Sequence, residues 1–193
     1  MYPAIEPRRL TGDESLIAPN GEKVGSLIDF WRWAYSDLVS NAERGILAEY
    51  IVSCALGINQ TVRIPWNKYD LLTQDNVSVE VKTSGYLQAW EQKNLSKIVF
   101  GIRPTYGWDS STNEYAAEQK RQADVYVFCV HNHKEQETID PLALSQWDFY
   151  VLATHTINEK FRGQKTVSLS ALKEAGAKHC EYSNLKSKIS QIV

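Results

Sequence analysis

The positions of hydrophobic and polar residues divide the chain into a helical front and a strand-rich remainder. Residues 1–25 carry Pro3, Pro7, Pro19, Gly12, Gly21 and Gly25 with little periodicity, which predicts an extended N-terminal arm. Leu27, Ile28, Phe30, Trp31, Ala34, Tyr35 and Leu38 recur at helical spacing and predict an amphipathic helix over 26–39. Ser40 and Glu43 form a Ser-x-x-Glu start signal, and Gly57 suits a helix end. Between them Ile46–Val52 is apolar almost all round, with Glu49 its lone charge, so this second helix is expected to be central.

Strand signals follow. Thr61–Trp66 and Tyr69–Leu72 are short strand candidates, Thr73–Asn76 is a turn cluster, and Ser78–Lys82 alternates strictly. Lys97–Ile102 predicts another strand, residues 105–113 a loop, and Glu114–Gln122 a short polar helix. Ala123–Val130 is an apolar run that suits an interior strand. Phe149–Thr154 predicts a further strand; Leu169–Ala175 and Asn184–Ile192 predict helices. This order indicates an α/β fold with a mixed central β-sheet flanked by helices.

The chain has 193 residues, which suits a single domain over 1–193. Hydrophobic residues make up 43% and charged residues 23%, which excludes disorder and coiled coil. No apolar run approaches the ~20 residues of a membrane span, and the first twenty residues hold no apolar signal core. Cys54, Cys129 and Cys180 are odd in number and far apart, so neither a disulfide framework nor a cysteine zinc knuckle is expected; the expected location is cytoplasmic. The net charge of −2 hides an asymmetry. Residues 160–193 hold seven Lys/Arg against two acids, whereas the rest of the chain holds 14 basic and 21 acidic residues. Such an end can contact a polyanion, or it can be a solvated lysine-rich surface.

The stretch from Tyr69 to Lys82 carries the candidate chemistry. Alternation puts Val77, Val79 and Val81 on one face of a strand and Ser78, Glu80 and Lys82 on the other, the last two about 7 Å apart. A three-residue loop Gln74-Asp75-Asn76, with Asn76 left-handed, pairs Thr73 with Val77 and sets Asp70 opposite Glu80. Opposed β-carbons lie ~5 Å apart, so these two carboxylates repel unless a cation holds them. A divalent ion such as Mg²⁺ suits that place, and Lys82 stands where it can orient a water or stabilise charge on a phosphate. A solvated strand face bearing an ion pair accounts for the same spacing.

Asp70, nine residues, then Glu80-x-Lys82 at a strand end resembles the catalytic signature of the PD-(D/E)XK, or restriction-endonuclease-like, nuclease superfamily. The resemblance covers about residues 40–130. It implies an αβββαβ core, here with an extra N-terminal helix, and hydrolysis of phosphodiester bonds in DNA with Mg²⁺ or Mn²⁺. It implies metal binding by Asp70 and Glu80 with help from the Val81 carbonyl, and action of Lys82 on the attacking water. Many members have an acidic residue on the preceding helix, and Glu49 occupies that place; a salt bridge with Arg44 or Arg63 is the plain alternative. Tyr69 stands where the family has Pro. The fold also makes a homodimer plausible.

Downstream, Ser84, Gln88 and Arg121 are candidate substrate contacts, Lys120 sits beside Arg121, and Tyr86 and Trp90 either stack on bases or fill the core. His131-Asn132-His133 does not form a strand-borne triad, because neighbouring side chains point to opposite faces. Gly-rich phosphate loops and the His-Glu-x-x-His motif are absent. Two other functions fit the sequence: a catalytically inactive DNA- or protein-binding module that keeps the nuclease fold, and an α/β interaction protein. The intact Asp/Glu/Lys set separates the first from an active enzyme; the second requires Glu49 far from Glu80.

Overall fold

A computed structural model describes residues 2, 5–65, 67–109 and 114–192. Strands β1 (Ser15–Ile17) and β2 (Lys23–Ser26) pair antiparallel and lead into α1 (Leu27–Tyr35). Residues 15–25 of the expected extended arm are therefore a folded hairpin. Backbone amides of Leu27 and Ile28 donate to the carbonyls of Glu14 and Gly12, and Gly12, at φ 100°, lies against Trp31.

Helix α2 (Asn41–Leu56) runs between the two expected signals. The Ser40 hydroxyl donates to the Glu43 carboxylate, a side-chain pair rather than a reciprocal capping box. Gly57 adopts φ 73°, and the amides of Gly57 and Ile58 return to the carbonyls of Cys54 and Ser53, closing the last turn. Ala48, Ile51, Val52 and Leu56 are buried beneath it, each larger side chain contributing about 1.5–3 kcal/mol. The chain then runs irregularly over residues 59–65 and 67–70, so the described part of the expected strand at Thr61–Trp66 is not a strand; Trp66 itself lies outside the described residues.

Strand β3 (Leu71–Leu72) turns into β4 (Ser78–Gly85), with Leu71 facing Val79 and Leu72 facing Ser78. Thr73 donates to the Val77 carbonyl at 2.9 Å, and Asn76 is left-handed at φ 61°, so the hairpin has the register read from the sequence. The remaining strands are β5 (Val99–Gly101), β6 (Thr105–Asp109), β7 (Glu114–Lys120), β8 (Val125–His131), β9 (Trp147–Ala153), β10 (Thr166–Ser168) and β11 (Lys178–Cys180). Helices α3 (Thr154–Lys160), α4 (Leu169–Glu174) and α5 (Leu185–Ser190) are short.

The central sheet has the order β11-β9-β8-β4-β3. Only β4 and β8 run parallel, so the mixed α/β sheet is as expected. The crossover between them is not. The segment read as a polar helix at Glu114–Gln122 is strand β7, paired with β6 in an exposed two-stranded arm. The residues 110–113 of the expected loop lie outside the described residues. Strand β5 pairs with β10 in a separate ribbon rather than with the sheet. The αβββαβ order is thus not reproduced between β4 and β8.

Two cores sandwich the sheet. Val79 and Val81 join Val125, Val127, Phe149 and Val151 beneath α2 and α5. On the other face Tyr126, Phe128, Tyr150 and Leu152 meet Phe100, Ile157, Val167 and Leu172 from the β5–β10 layer and its helices. No described helix is long and apolar enough to cross a membrane.

Candidate active site

The site lies at the sheet edge where β3 ends after two residues. Beyond that point the Asp70 side chain replaces the missing ladder. Its carboxylate accepts a 2.7 Å hydrogen bond from the Val81 amide, and the Asp70 amide donates to the Val79 carbonyl at 3.2 Å. The register that pairs Leu71 with Val79 brings Asp70 level with Glu80.

Glu80 and Lys82 project from the face of β4 opposite its valines, as alternation requires. The Lys82 ammonium donates to the Glu80 carboxylate at 2.5 Å, and both side chains are only partly exposed. Burial alone would lower the Lys82 ammonium, but the Glu80 and Asp70 carboxylates outweigh it and hold it above its ordinary value. Among the described residues Asp70 has no ion-pair partner of its own. Burial, then the Glu80 charge, pushes its carboxyl up to about 7, although Lys82 and the Val81 amide act the other way. In the neighbouring strand Tyr126 is level with Glu80, and its phenol is pushed well up by burial and by that carboxylate.

Glu49 comes from the α2 side and makes a two-point ion pair with Arg63: Nε donates to Oε2, and Nη2 to Oε1 at 2.8 Å. Of the two alternatives open in the sequence, the Arg63 salt bridge is the one formed. Glu49 still adds repulsion at Asp70, so the three acids share one neighbourhood. Among the described residues, however, no three His, Cys, Asp or Glu side chains are gathered closely enough to hold a metal ion together. Glu49, Arg63 and Asp70 line a cleft of about 810 Å³, with Arg9, Tyr69 and Thr73 at its walls.

The other candidates lie elsewhere. Ser84 continues the Glu80–Lys82 face towards the end of β4. Gln88 is a loop brace: its amide donates to the Gly85 carbonyl and the Ser96 hydroxyl, and its oxygen accepts from Arg44. Arg121 is buried rather than displayed to a phosphate. It donates to the carbonyls of Ile102, Phe161 and Gln164 and to Asn158, tying the start of the arm to the layer behind it. Trp90 is exposed, while Tyr86 borders the second core beneath the Lys134 ammonium. His131 is fully buried against Trp147, Asn132 donates to Asp148, and His133 pairs with Thr138. The basic C-terminal region is dispersed: Lys160 caps the Ala175 carbonyl and Lys173 lies over Tyr150.

The sequence offers Arg44 only as an alternative partner for Glu49; in the fold it is a fully buried guanidinium with no carboxylate partner among the described residues. It donates to the carbonyls of Val39 and Leu87 and to Asn41 and Gln88, and desolvation lowers it from its ordinary value. Its charge in the first turn of α2 gives no signal that this position faces inward.

A model of the bacteriophage T4 endonuclease IV family matches residues 31–171. The chain belongs to that family. No curated protein and no solved structure matches it. The matched span runs from α1 into α4 and includes Glu49, Asp70, Glu80 and Lys82; the first hairpin, β11 and α5 lie outside it. This is a nuclease family, so the acidic edge of the sheet belongs to a chain of that class.

Proposed function

We propose that this member of the endonuclease IV family hydrolyses phosphodiester bonds in DNA with a divalent metal ion, using a site of the PD-(D/E)XK kind. The observation that carries the reading is the pairing with Glu80 of a buried Asp70 that has no ion pair among the described residues. A carboxyl pushed up to about 7 by its surroundings marks a place short of positive charge.

The donor set suits Mg²⁺ or Mn²⁺, which take hard oxygen ligands and keep several waters. Asp70 and Glu80 would hold the ion. The Val81 amide points to the Asp70 edge, and the carbonyl of a strand residue points the same way as its amide, so this carbonyl is available as well. Glu49 lines the same cleft as Asp70. When bound, the ion supplies polarisation of a phosphate oxygen and a more acidic water.

The chain's own groups do the rest. Lys82, held by Glu80, orients the attacking water and offsets negative charge as it grows on the phosphate. Asp70, fixed by the Val81 amide, cannot swing away from the edge. Ser84, further along the same face, offers a hydroxyl to the substrate backbone.

Incubation with single- and double-stranded DNA in Mg²⁺, Mn²⁺ or EDTA, beside Glu80→Ala, tests the proposal. Cleavage is expected with metal in the wild type alone. Cleavage that persists in EDTA or in the variant overturns it.

A further inference from the structure

The Glu49–Arg63 pair is placed so that one partner must be displaced before the other can act. Both oxygens of Glu49 are taken by the Arg63 guanidinium. Both side chains line the cleft, and with Arg63 39% exposed against 13% for Glu49 the guanidinium is the more accessible of the two to a solute. Glu49 is fixed on α2, whose inner face is packed. Arg63 belongs to the irregular run 59–65, which shifts at lower cost than a packed helix.

The planar fork of an arginine fits two oxygens of a phosphate as well as two of a carboxylate. An exchange of partners therefore leaves the guanidinium satisfied. It also frees Glu49 beside Asp70, where two carboxylates repel unless a cation arrives. Among the described residues no three acids are gathered closely enough to hold a metal ion, and both oxygens of Glu49 are engaged by the arginine.

Building on the metal-dependent reading above, we infer that Arg63 is a phosphate-binding residue that trades Glu49 for the nucleic-acid backbone, so that Glu49 joins the metal only when substrate is bound. Metal and nucleic acid then strengthen one another's binding, and by linkage each does so by the same factor. The device keeps the metal site incomplete until a substrate is present.

The test measures binding rather than cleavage. Mn²⁺ affinity is determined by calorimetry with and without a non-cleavable phosphorothioate oligodeoxynucleotide, and oligonucleotide affinity is determined in EDTA. In the wild type the oligonucleotide is expected to tighten Mn²⁺ about tenfold. Arg63→Ala is expected to bind Mn²⁺ about tenfold more tightly when alone, to lose the coupling, and to bind the oligonucleotide about tenfold more weakly in EDTA. Glu49→Gln, which breaks the ion pair but keeps the arginine, is expected to bind the oligonucleotide more tightly in EDTA. Thermal unfolding checks that each variant is folded; if Arg63→Ala is not, Glu49→Gln decides.

An Arg63→Ala protein with wild-type affinity for both metal and oligonucleotide overturns the inference, as does weaker oligonucleotide binding by Glu49→Gln. Wild-type protein that cleaves with Mn²⁺ but shows no coupling overturns this inference and leaves the nuclease reading intact. Wild-type protein that binds no Mn²⁺ overturns the metal reading, and the EDTA measurements still decide whether Arg63 is a phosphate contact.

Discussion

The Asp70 carboxylate takes its hydrogen bond from the backbone amide of Val81, at 2.7 Å, in the place where a longer β3 would have supplied a carbonyl. An acidic side chain thus completes the sheet edge, and it is held level with Glu80 with no ion pair among the described residues.

That arrangement makes stability depend on pH. Burial and Glu80 raise Asp70 to about 7, against about 3.9 in an unfolded chain. Between these values the folded protein keeps a proton that the unfolded chain has lost. Stability of the metal-free protein therefore falls as pH rises from about 4 to about 7 and is level in this respect above. Asp70→Asn removes the slope. Relative to wild type, its Tm is expected to rise by several degrees between pH 5 and pH 8, since 1 kcal/mol moves a chain of this size by about 2–4 °C. An unchanged difference at the two pH values contradicts the assignment.

Lys82→Ala removes the partner of Glu80 and the ammonium proposed to orient the attacking water. If Lys82 acts on the nucleophile, kcat falls by about 10²–10⁴-fold. Loss of the ammonium also leaves Asp70 facing an unpaired Glu80, so the Asp70 titration moves upward. Steady-state rates and a pH–stability profile measure the two effects independently. A variant with full activity excludes the role.

Arg44 spans the start of α2 and the loop after β4. Arg44→Met strips the donor from two carbonyls, and each buried carbonyl left unsatisfied costs about 1–3 kcal/mol. Gly85 depends on the same side chain: a β-carbon there would lie 2.9 Å from Arg44 Nη1, and Arg44 is held by four partners and cannot yield freely. Gly85→Ala is expected to cost about 1–3 kcal/mol, as overpacking does. Urea unfolding of the single and double variants should show strong non-additivity, because the two substitutions act on one contact.

Arg121 distinguishes a brace from a phosphate contact. Arg121→Ala is expected to lower stability by a few kcal/mol, because three carbonyls lose their donor. Its affinity for DNA, measured well below its Tm, is expected to remain near that of wild type with an unchanged salt slope. A slope reduced by about one phosphate contact would show a direct role.

The hairpin around the site was readable because everything that specifies it is local. The alternation of Ser78–Lys82 fixes the faces, and the turn residues with a left-handed Asn76 fix the register. The solitary Glu49 in an apolar run was readable for a similar reason, since a charge there needs a partner. That partner is Arg63, fourteen positions later in a segment without periodicity, and only the folded chain chooses it over Arg44. Glu114–Gln122 was read as a helix because its Glu, Ala, Gln and Lys favour one. Pairing with β6 overrode that local preference, and no contact within the segment reveals it.

The sequence by itself determined the mixed α/β character, the central place of α2 and the set Asp70, Glu80 and Lys82 on one hairpin, because spacing and turn chemistry act over a few residues. The tertiary structure decided which cations pair with which acids, that Arg44 and Arg121 are buried braces, and that the β4–β8 crossover carries a strand arm in place of a helix. Those outcomes depend on burial and on contacts between distant segments, and neither has a period in the sequence.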